Sequence, residues 1–360
     1  FMESCLIFVI VLLGGLGSIP GNLLGAAIIV IFPEIFREFA TYRLLIFGAA
    51  LVVMMVFRPA GILPRRREKA GFRGLGIARL PADEEQFLAG VLEEQAAAPK
   101  AEAAEAGSVV LETQGVTMHF GGLTAVDKFD MQVKTGQITS LIGPNGAGKT
   151  TLFNVITGIY RPQTGKVIFR GSEITNLKPH QIIAQGLART FQNIRLFPSL
   201  TCIENVMSGP HCHARQGAWG SVFRSPAQRK EERKILESAA YRLHQVGLWE
   251  YRNELAKNLP YGKQKMLEIA RALATTPTLL ILDEPSSGLN DKETEELMEF
   301  LKKLAAEGFT LLLIEHDMNV VMGISDIVYV MDMGAKIAED LPEEIYNNPR
   351  VIEAYLGKEA

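Results

Sequence analysis

The stretch with the clearest chemistry is GPNGAGKTT, Gly143 to Thr151. It fits G-x-x-x-x-G-K-[ST], a spacing that cradles phosphate. Gly143, Gly146 and Gly148 let the backbone come close to an anion, so that successive N–H groups and a helix N-terminus point at it. Lys149 is placed to reach the β- and γ-phosphates of a nucleotide, and Thr150 to hold Mg²⁺. A glycine-rich turn that binds nothing is the plain alternative, and the flanks argue against it. QITSLIG before the loop reads as a buried strand, and TLFNVITGIY after it reads as a helix.

A second candidate is LLILDEP, Leu279 to Pro285, where two carboxylates end a short apolar run. In an open α/β sheet the ligand sits at the C-terminal ends of the strands. Asp283 is suited to hold Mg²⁺ through water, and Glu284 stands one position nearer an attacking water, as a general base must. HCH at His211 to His213 lacks a second spaced ligand pair and reads as a solvated loop rather than a metal site.

The elements that must position these residues begin at Val109. VLETQGVTMHF and a run near Asp130 to Val133 read as an antiparallel opening, and KVIFRGSEI as a strand and turn. Residues from about 193 to 274 are mostly helical in pattern, with charges spaced for an exposed face through PAQRKEERKILESAAYRLHQVGL. TLLILDEP and FTLLLIEHD are nearly all-apolar runs that suit central parallel strands, and DIVYVMDMGAKIAED continues the α/β alternation.

In order, these motifs resemble the ATP-binding cassette (ABC) ATPases, over about Val109 to Gly357. The fold implied is an α/β P-loop NTPase, a cassette with a helical subdomain at about 193–274 and an antiparallel β subdomain within residues 109–360. The resemblance implies ATP and Mg²⁺ as ligands. It makes Gly143, Pro144, Asn145, Gly146, Ala147, Gly148, Lys149, Thr150 and Thr151 the nucleotide loop, or Walker A, and Phe120 the aromatic on which adenine stacks. Gln192 in RTFQNIRLF is similar to the Q-loop glutamine, which touches Mg²⁺ and the attacking water. Asp283 and Glu284 match the Walker B acid and catalytic base, and His316 in IEHD matches the switch histidine on the γ-phosphate. Leu259, Tyr261 and Gly262 in LPYGKQ stand in the signature segment that closes over the nucleotide of an opposing cassette. Two positions depart from the pattern: Pro260 replaces the signature serine, and Asn290 in SSGLN replaces the D-loop aspartate.

YGKQKMLEIARAL, EHDMNVVMGISDIVYV and PEEIYNNPRVIEAYLG narrow the resemblance to the ATPase subunit of branched-chain amino acid importers. The partners implied are a second cassette, of the same or another chain, permease subunits and an extracytoplasmic substrate-binding protein. Importers of urea, short amides or aromatic acids have similar cassettes, and a membrane-tethered nucleotide switch is an alternative of another class.

Hydrophobic residues make up 48% and charged residues 21%, but the apolar ones crowd into residues 1–63. Three apolar runs there, two of about 20 residues with their flanks, predict membrane-spanning helices in contact with lipid. Three runs in succession do not fit a cleavable signal peptide. Phe1 stands where an initiator methionine would, so the chain reads as part of something longer. Arg58, Arg65, Arg66, Arg67, Lys69 and Arg73 place the following domain on the cytoplasmic side of the inner membrane. LGGLGSIPGNLLGA and YRLLIFGAALVVMMVFRPAGILPRRR resemble the end of the importer's permease. Residues 64–108 read as a flexible linker with a short helix near Asp83 to Gln95. A net charge of −3 with no basic stripe gives no nucleic-acid surface, and three scattered cysteines give no disulfide framework.

Lys149→Ala is expected to weaken ATP binding about ten- to a hundredfold, the scale of a lost charge-assisted contact. Titration with a fluorescent ATP analogue measures it, and unchanged affinity counts against the loop assignment.

Overall fold

The computed structural model describes residues 23–27, 80–81, 83–97, 107–210 and 226–356. The chain divides into two compact units, Phe1–Ala70 and Gly71–Ala360. Of the first unit only one helical turn at residues 23–27 is described, so the expected spans within 1–63 lie outside the described residues. Among the described residues no helix is long and apolar enough to cross a membrane.

The second unit is built on two sheets. The smaller is antiparallel and holds β1 (Val109–Phe120), β2 (Leu123–Lys134), β4 (Thr164–Phe169) and β5 (Ser172–Glu173), in the order β2-β1-β4-β5. This is the antiparallel opening predicted from the sequence. The larger sheet contains β3 (Ile138–Ile142), β6 (Leu187–Arg189), β7 (Leu279–Asp283), β8 (Thr310–Ile314), β9 (Ile327–Asp332) and β10 (Ala335–Asp340). Its order is β10-β9-β3-β8-β7-β6, parallel throughout except for the edge strand β10. The three-residue β6 had no periodicity long enough to predict it.

The central strands are buried on both faces, which is why they read as unbroken apolar runs. Along β7, Leu279 and Ile281 pack against one core while Leu280 and Leu282 pack against the other. Along β8, Leu312 and Ile314 share the first face, and Leu311 and Leu313 the second. The first core also takes Phe129 and Phe169 from the small sheet, and Leu152 and Phe153 from α2 (Lys149–Ile156), all fully buried. Tyr329 of β9 ties the two sheets together: its hydroxyl donates to Gln132 O of β2 and accepts from Gln132 N, at 3.0 and 3.1 Å.

The opposite core carries the helices, including α4 (Cys202–Met207), α5 (Pro226–Gln245) and α6 (Tyr261–Leu273). These fall where a helical insert is predicted. Thr201 caps α4, its Oγ1 accepting from Glu204 N while Glu204 bonds back to Thr201 N. That box starts a helix in a sequence too short to show periodicity. The His211–His213 cluster lies outside the described residues.

Of residues 64–108, read as a linker with a short helix near Asp83 to Gln95, the described part is residues 80–81, 83–97 and 107–108. Asp83 accepts from Gln86 N and so caps α1 (Glu84–Ala97). Val91 of α1 is buried, Leu80 and Phe87 pack against the helical core, and Glu84 forms an ion pair with Arg252. Few apolar residues are needed because they join an existing core rather than build one.

Phe169→Ala, which empties space between the sheets, is expected to lower the free energy of unfolding by about 3–5 kcal/mol. Urea denaturation measures it, and a loss below about 1 kcal/mol would contradict the packing.

Candidate functional site

The phosphate loop runs from the end of β3 to the start of α2, at the C-terminal edge of the parallel sheet. Two of its glycines are required by neighbouring backbone as much as by an anion. A Cβ at Gly143 would lie 2.0 Å from Met331 O, and one at Gly148 would lie 2.1 Å from Ala125 O, so no side chain fits at either. Gly146 differs: φ is +83° and nothing lies within 4 Å of where its Cβ would be, which leaves that side of the loop open to a ligand. From behind, Gly334 N donates to Ala147 O at 2.9 Å and Gly334 O accepts from Asp127 N at 2.8 Å. The β9–β10 turn therefore pins the loop to the small sheet.

Lys149 is buried, and its ammonium donates to Gly143 O at 2.5 Å and Pro144 O at 2.9 Å, inside the loop it is expected to serve. Burial lowers its pKa from the ordinary lysine value, while the carboxylates of Glu284 and Asp283 pull it back up. Asn145, Gly146 and Thr150 are exposed, on the loop and the first helical turn. Pro144 and Thr151 are half-buried and Ala147 is buried, as the supporting side of the loop.

Three residues predicted to act together come together. Gln192 Nε2 donates to Glu284 Oε2 at 2.6 Å, and His316 Nδ1 stands 3.9 Å from the same oxygen. Asp283, one residue earlier, is buried with its Oδ2 held 2.7 Å from Arg189 Nη2. The Asp283 carboxylate, Thr150 hydroxyl and Gln192 amide oxygen are hard oxygen donors, the set Mg²⁺ selects when nucleotide phosphates complete its shell. Arg189 engages one carboxylate oxygen of Asp283, so the chemistry of this set fits the ion.

Phe120 ends β1, is 43% exposed, and meets Tyr160 edge-to-face with ring centroids 5.4 Å apart. That leaves a ring face for a base to stack on. In the signature segment Leu259 is buried and Tyr261 exposed, with Tyr261 opening α6 directly after Pro260. Proline suits that position, where no intrahelical N–H partner is lost. The segment interlocks with the D-loop of its own chain. The Tyr261 ring covers Gly288, and the Glu293 carboxylate lies against Gly262. Asn290 has its own local task as N-cap of α7 (Asp291–Ala306), accepting from Glu293 N at 3.0 Å.

Sequence reasoning missed four contributors: Arg189, Glu315, Lys265 and Tyr160. Arg189 also donates to Asn154 Oδ1 and Thr157 Oγ1 at 2.8 and 3.2 Å. Glu315 is buried and accepts from Ser286 N at 3.0 Å and His316 N at 3.2 Å, joining the turn after Glu284 to His316. Burial raises its pKa above the ordinary carboxylate value, against those hydrogen bonds. The available signal was charge inside apolar patterns: arginine in GLARTF, lysine and glutamate on the inward face of KQKMLEIARAL.

Fold and site together define a nucleotide-binding P-loop domain of the cassette type, with an antiparallel sheet beside the parallel one and a helical insert between loop and second acid. The profile of ABC transporters matches residues 126–287, and that of branched-chain amino acid ATP-binding cassette transporters matches residues 335–360. The high-affinity branched-chain amino acid transport ATP-binding protein BraF of Pseudomonas aeruginosa is 48% identical over 250 residues, 69% of this chain and 98% of BraF. LivG of Escherichia coli, of the same description, is 46% identical over 250 residues with the same coverage. A nucleotide-free ATP-binding cassette from an ABC transporter superposes with a TM-score of 0.62 at 34% identity, covering 70% of this chain and all of that one. The chain belongs to the family of ABC transporter ATPases, in the group of LivG and BraF.

Arg189→Met strands the buried Asp283 carboxylate and is expected to cost about 3–5 kcal/mol of stability. Urea unfolding of this variant and of Arg189→Met with Asp283→Asn tests the pair. The double variant should recover most of the loss, and equal losses in both would contradict it.

Proposed function

We propose that the chain is the ATP-hydrolysing subunit of an importer for branched-chain amino acids, with Glu284 as general base. The observation that carries this reading is the Glu284 carboxylate, held by Gln192 at 2.6 Å with His316 beside it. A base must be oriented before water arrives, and an amide donor on one oxygen leaves the other to accept the proton. Lys149 leaves its loop carbonyls for the phosphates, which offer a stronger acceptor for a desolvated ammonium. Gly143 to Thr151 wrap the phosphates, and Phe120 stacks on adenine. Thr150, Asp283 and Gln192 would hold Mg²⁺, which when bound offsets the charge that develops on the transferred phosphoryl group. His316 contacts the γ-phosphate.

Leu259, Tyr261 and Gly262, in the signature segment, serve a different nucleotide from their own phosphate loop: they close over the nucleotide of a second cassette, through the backbone N–H groups that begin α6. Hydrolysis is thereby gated by the meeting of two cassettes. A dimeric cassette in a post-hydrolysis state, bound to ADP and Pi, superposes with a TM-score of 0.55 at 26% identity, which supports that arrangement. The cargo assignment rests on the LivG and BraF relatives and on the match of the C-terminal segment. The apolar runs of residues 1–63 and the basic cluster after them support a permease-like segment joined to the ATPase, at the cytoplasmic face of the inner membrane, working with permease subunits and an extracytoplasmic binding protein.

The test is ATPase activity of the full chain with candidate partner cassettes in lipid, with and without liganded binding protein and leucine. Stimulation by the liganded binding protein is expected. Glu284→Gln should keep ATP affinity within about threefold and lose about a hundredfold or more of turnover. Substantial turnover in that variant would overturn the role of Glu284, and hydrolysis indifferent to leucine would overturn the cargo.

A further inference from the structure

Glu284 has a left-handed backbone, φ +48°, which is unfavourable for a residue with a side chain. Such a conformation persists when its surroundings over-determine it, and at reactive sites it sets where the side chain points. On one side the Glu284 N–H donates to Ile314 O of β8 at 3.0 Å, a partner fixed within the parallel sheet. On the other side the Glu284 carbonyl accepts from Lys265 Nζ at 2.9 Å. The same ammonium stands 3.5 Å from Gln192 O. One cation therefore touches the backbone of both residues whose side chains meet at 2.6 Å.

Lys265 comes from α6, four positions after the signature residue Tyr261, and is 4% exposed. A buried ammonium is costly unless its donors are used. Here Glu268, Glu315, Glu284 and Asp283 surround it and oppose the lowering of its pKa by burial. Glu268, also buried, extends the same contact by accepting from Arg195 N at 3.1 Å in the Q-loop segment. The arrangement spends a buried charge where an apolar residue would pack more cheaply, and its donors go to the backbone of the reacting turn.

We propose that Lys265 is a positioning residue for hydrolysis, holding the left-handed turn at Glu284 and the Gln192 backbone in register so that the base faces the attacking water. This rests on the reading of Glu284 as the base. The contacts of the Lys265 ammonium are with the backbone carbonyls of Glu284 and Gln192 rather than with the phosphate loop, so it acts on turnover rather than on affinity.

The experiment compares Lys265→Gln and Lys265→Arg with the wild type in the full chain and its transporter complex. In Lys265→Gln, kcat should fall about ten- to a hundredfold, the cost of a small misplacement of a reacting group, with KM for ATP within about threefold. Lys265→Arg, whose guanidinium can reach both carbonyls, should stay within about threefold of the wild type in kcat. A second readout needs no hydrolysis: amide exchange in the nucleotide-free chain at Ser287, whose N–H donates to Glu284 O at 3.2 Å. It should quicken about tenfold in Lys265→Gln while exchange in β3 and β8 is unchanged.

Unchanged kcat with unchanged exchange at Ser287 would overturn the proposal. So would a raised KM at constant kcat, or exchange faster throughout the sheet without rescue by arginine. Where Lys265→Gln does not fold, Lys265→Arg decides alone: a folded arginine variant that loses kcat overturns it, and one that keeps kcat and the protection of Ser287 supports it. A wild type without ATPase activity beside its partners would sink the functional reading instead, and the exchange at Ser287 would still decide the role of Lys265.

Discussion

The structure depends on how closely the phosphate loop can be pressed against its neighbours. Met331 O and Ala125 O approach Gly143 and Gly148 so nearly that a single methyl group would collide with either. This contact brings β9 of the parallel sheet and β2 of the antiparallel sheet onto one loop. It is reinforced by Gly334, which donates to the loop and accepts from β2. The loop is thus shaped before any anion arrives, and its open side at Gly146 is what remains for a ligand. A preformed site loses little ordering entropy on binding.

A second constraint is electrostatic. Cations and carboxylates at the ends of the parallel strands are buried as a set rather than as isolated pairs. Arg189 neutralises Asp283, Lys265 lies among several carboxylates, and Glu315 is satisfied by two backbone N–H groups. Removing one member would leave another uncompensated in a medium where that is expensive. Such a set adds little net stability, but it holds side chains in fixed places, as a site for phosphate chemistry requires.

The helical insert is joined to this set at the ends of its elements. α6 starts at Tyr261 just after Pro260, reaches the turn at Glu284 through Lys265, and touches the segment after Gln192 through Glu268 and Arg195. Its first residues interlock with the D-loop through Tyr261 against Gly288 and Glu293 against Gly262. The two departures from the family pattern fit this local geometry. Pro260 precedes the helix start, and Asn290 caps α7, a role an uncharged amide fills well. On its outer side the insert carries α1, anchored by a few apolar residues and the Glu84–Arg252 pair.

The phosphate loop after β3, the acid that ends β7 with Glu284 just beyond it, and the positions Gln192 and His316 that fold beside Glu284 were all picked out in sequence. Each belongs to a contiguous motif whose letters carry the chemistry, and the apolar runs beside them follow from burial on both faces. The antiparallel opening and the helical insert were legible for the same local reason, periodicity. What tertiary structure alone decided were the contacts between distant segments. Arg189 and Asp283 are 94 positions apart, and Gln192 and Glu284 92 apart, so no local pattern pairs them. The sequence shows a lysine at 265, but only folding brings its ammonium to the Glu284 carbonyl. Likewise only packing against the insert turns α1 from a solvated helix into a docked one, because docking draws on apolar surface that other residues supply.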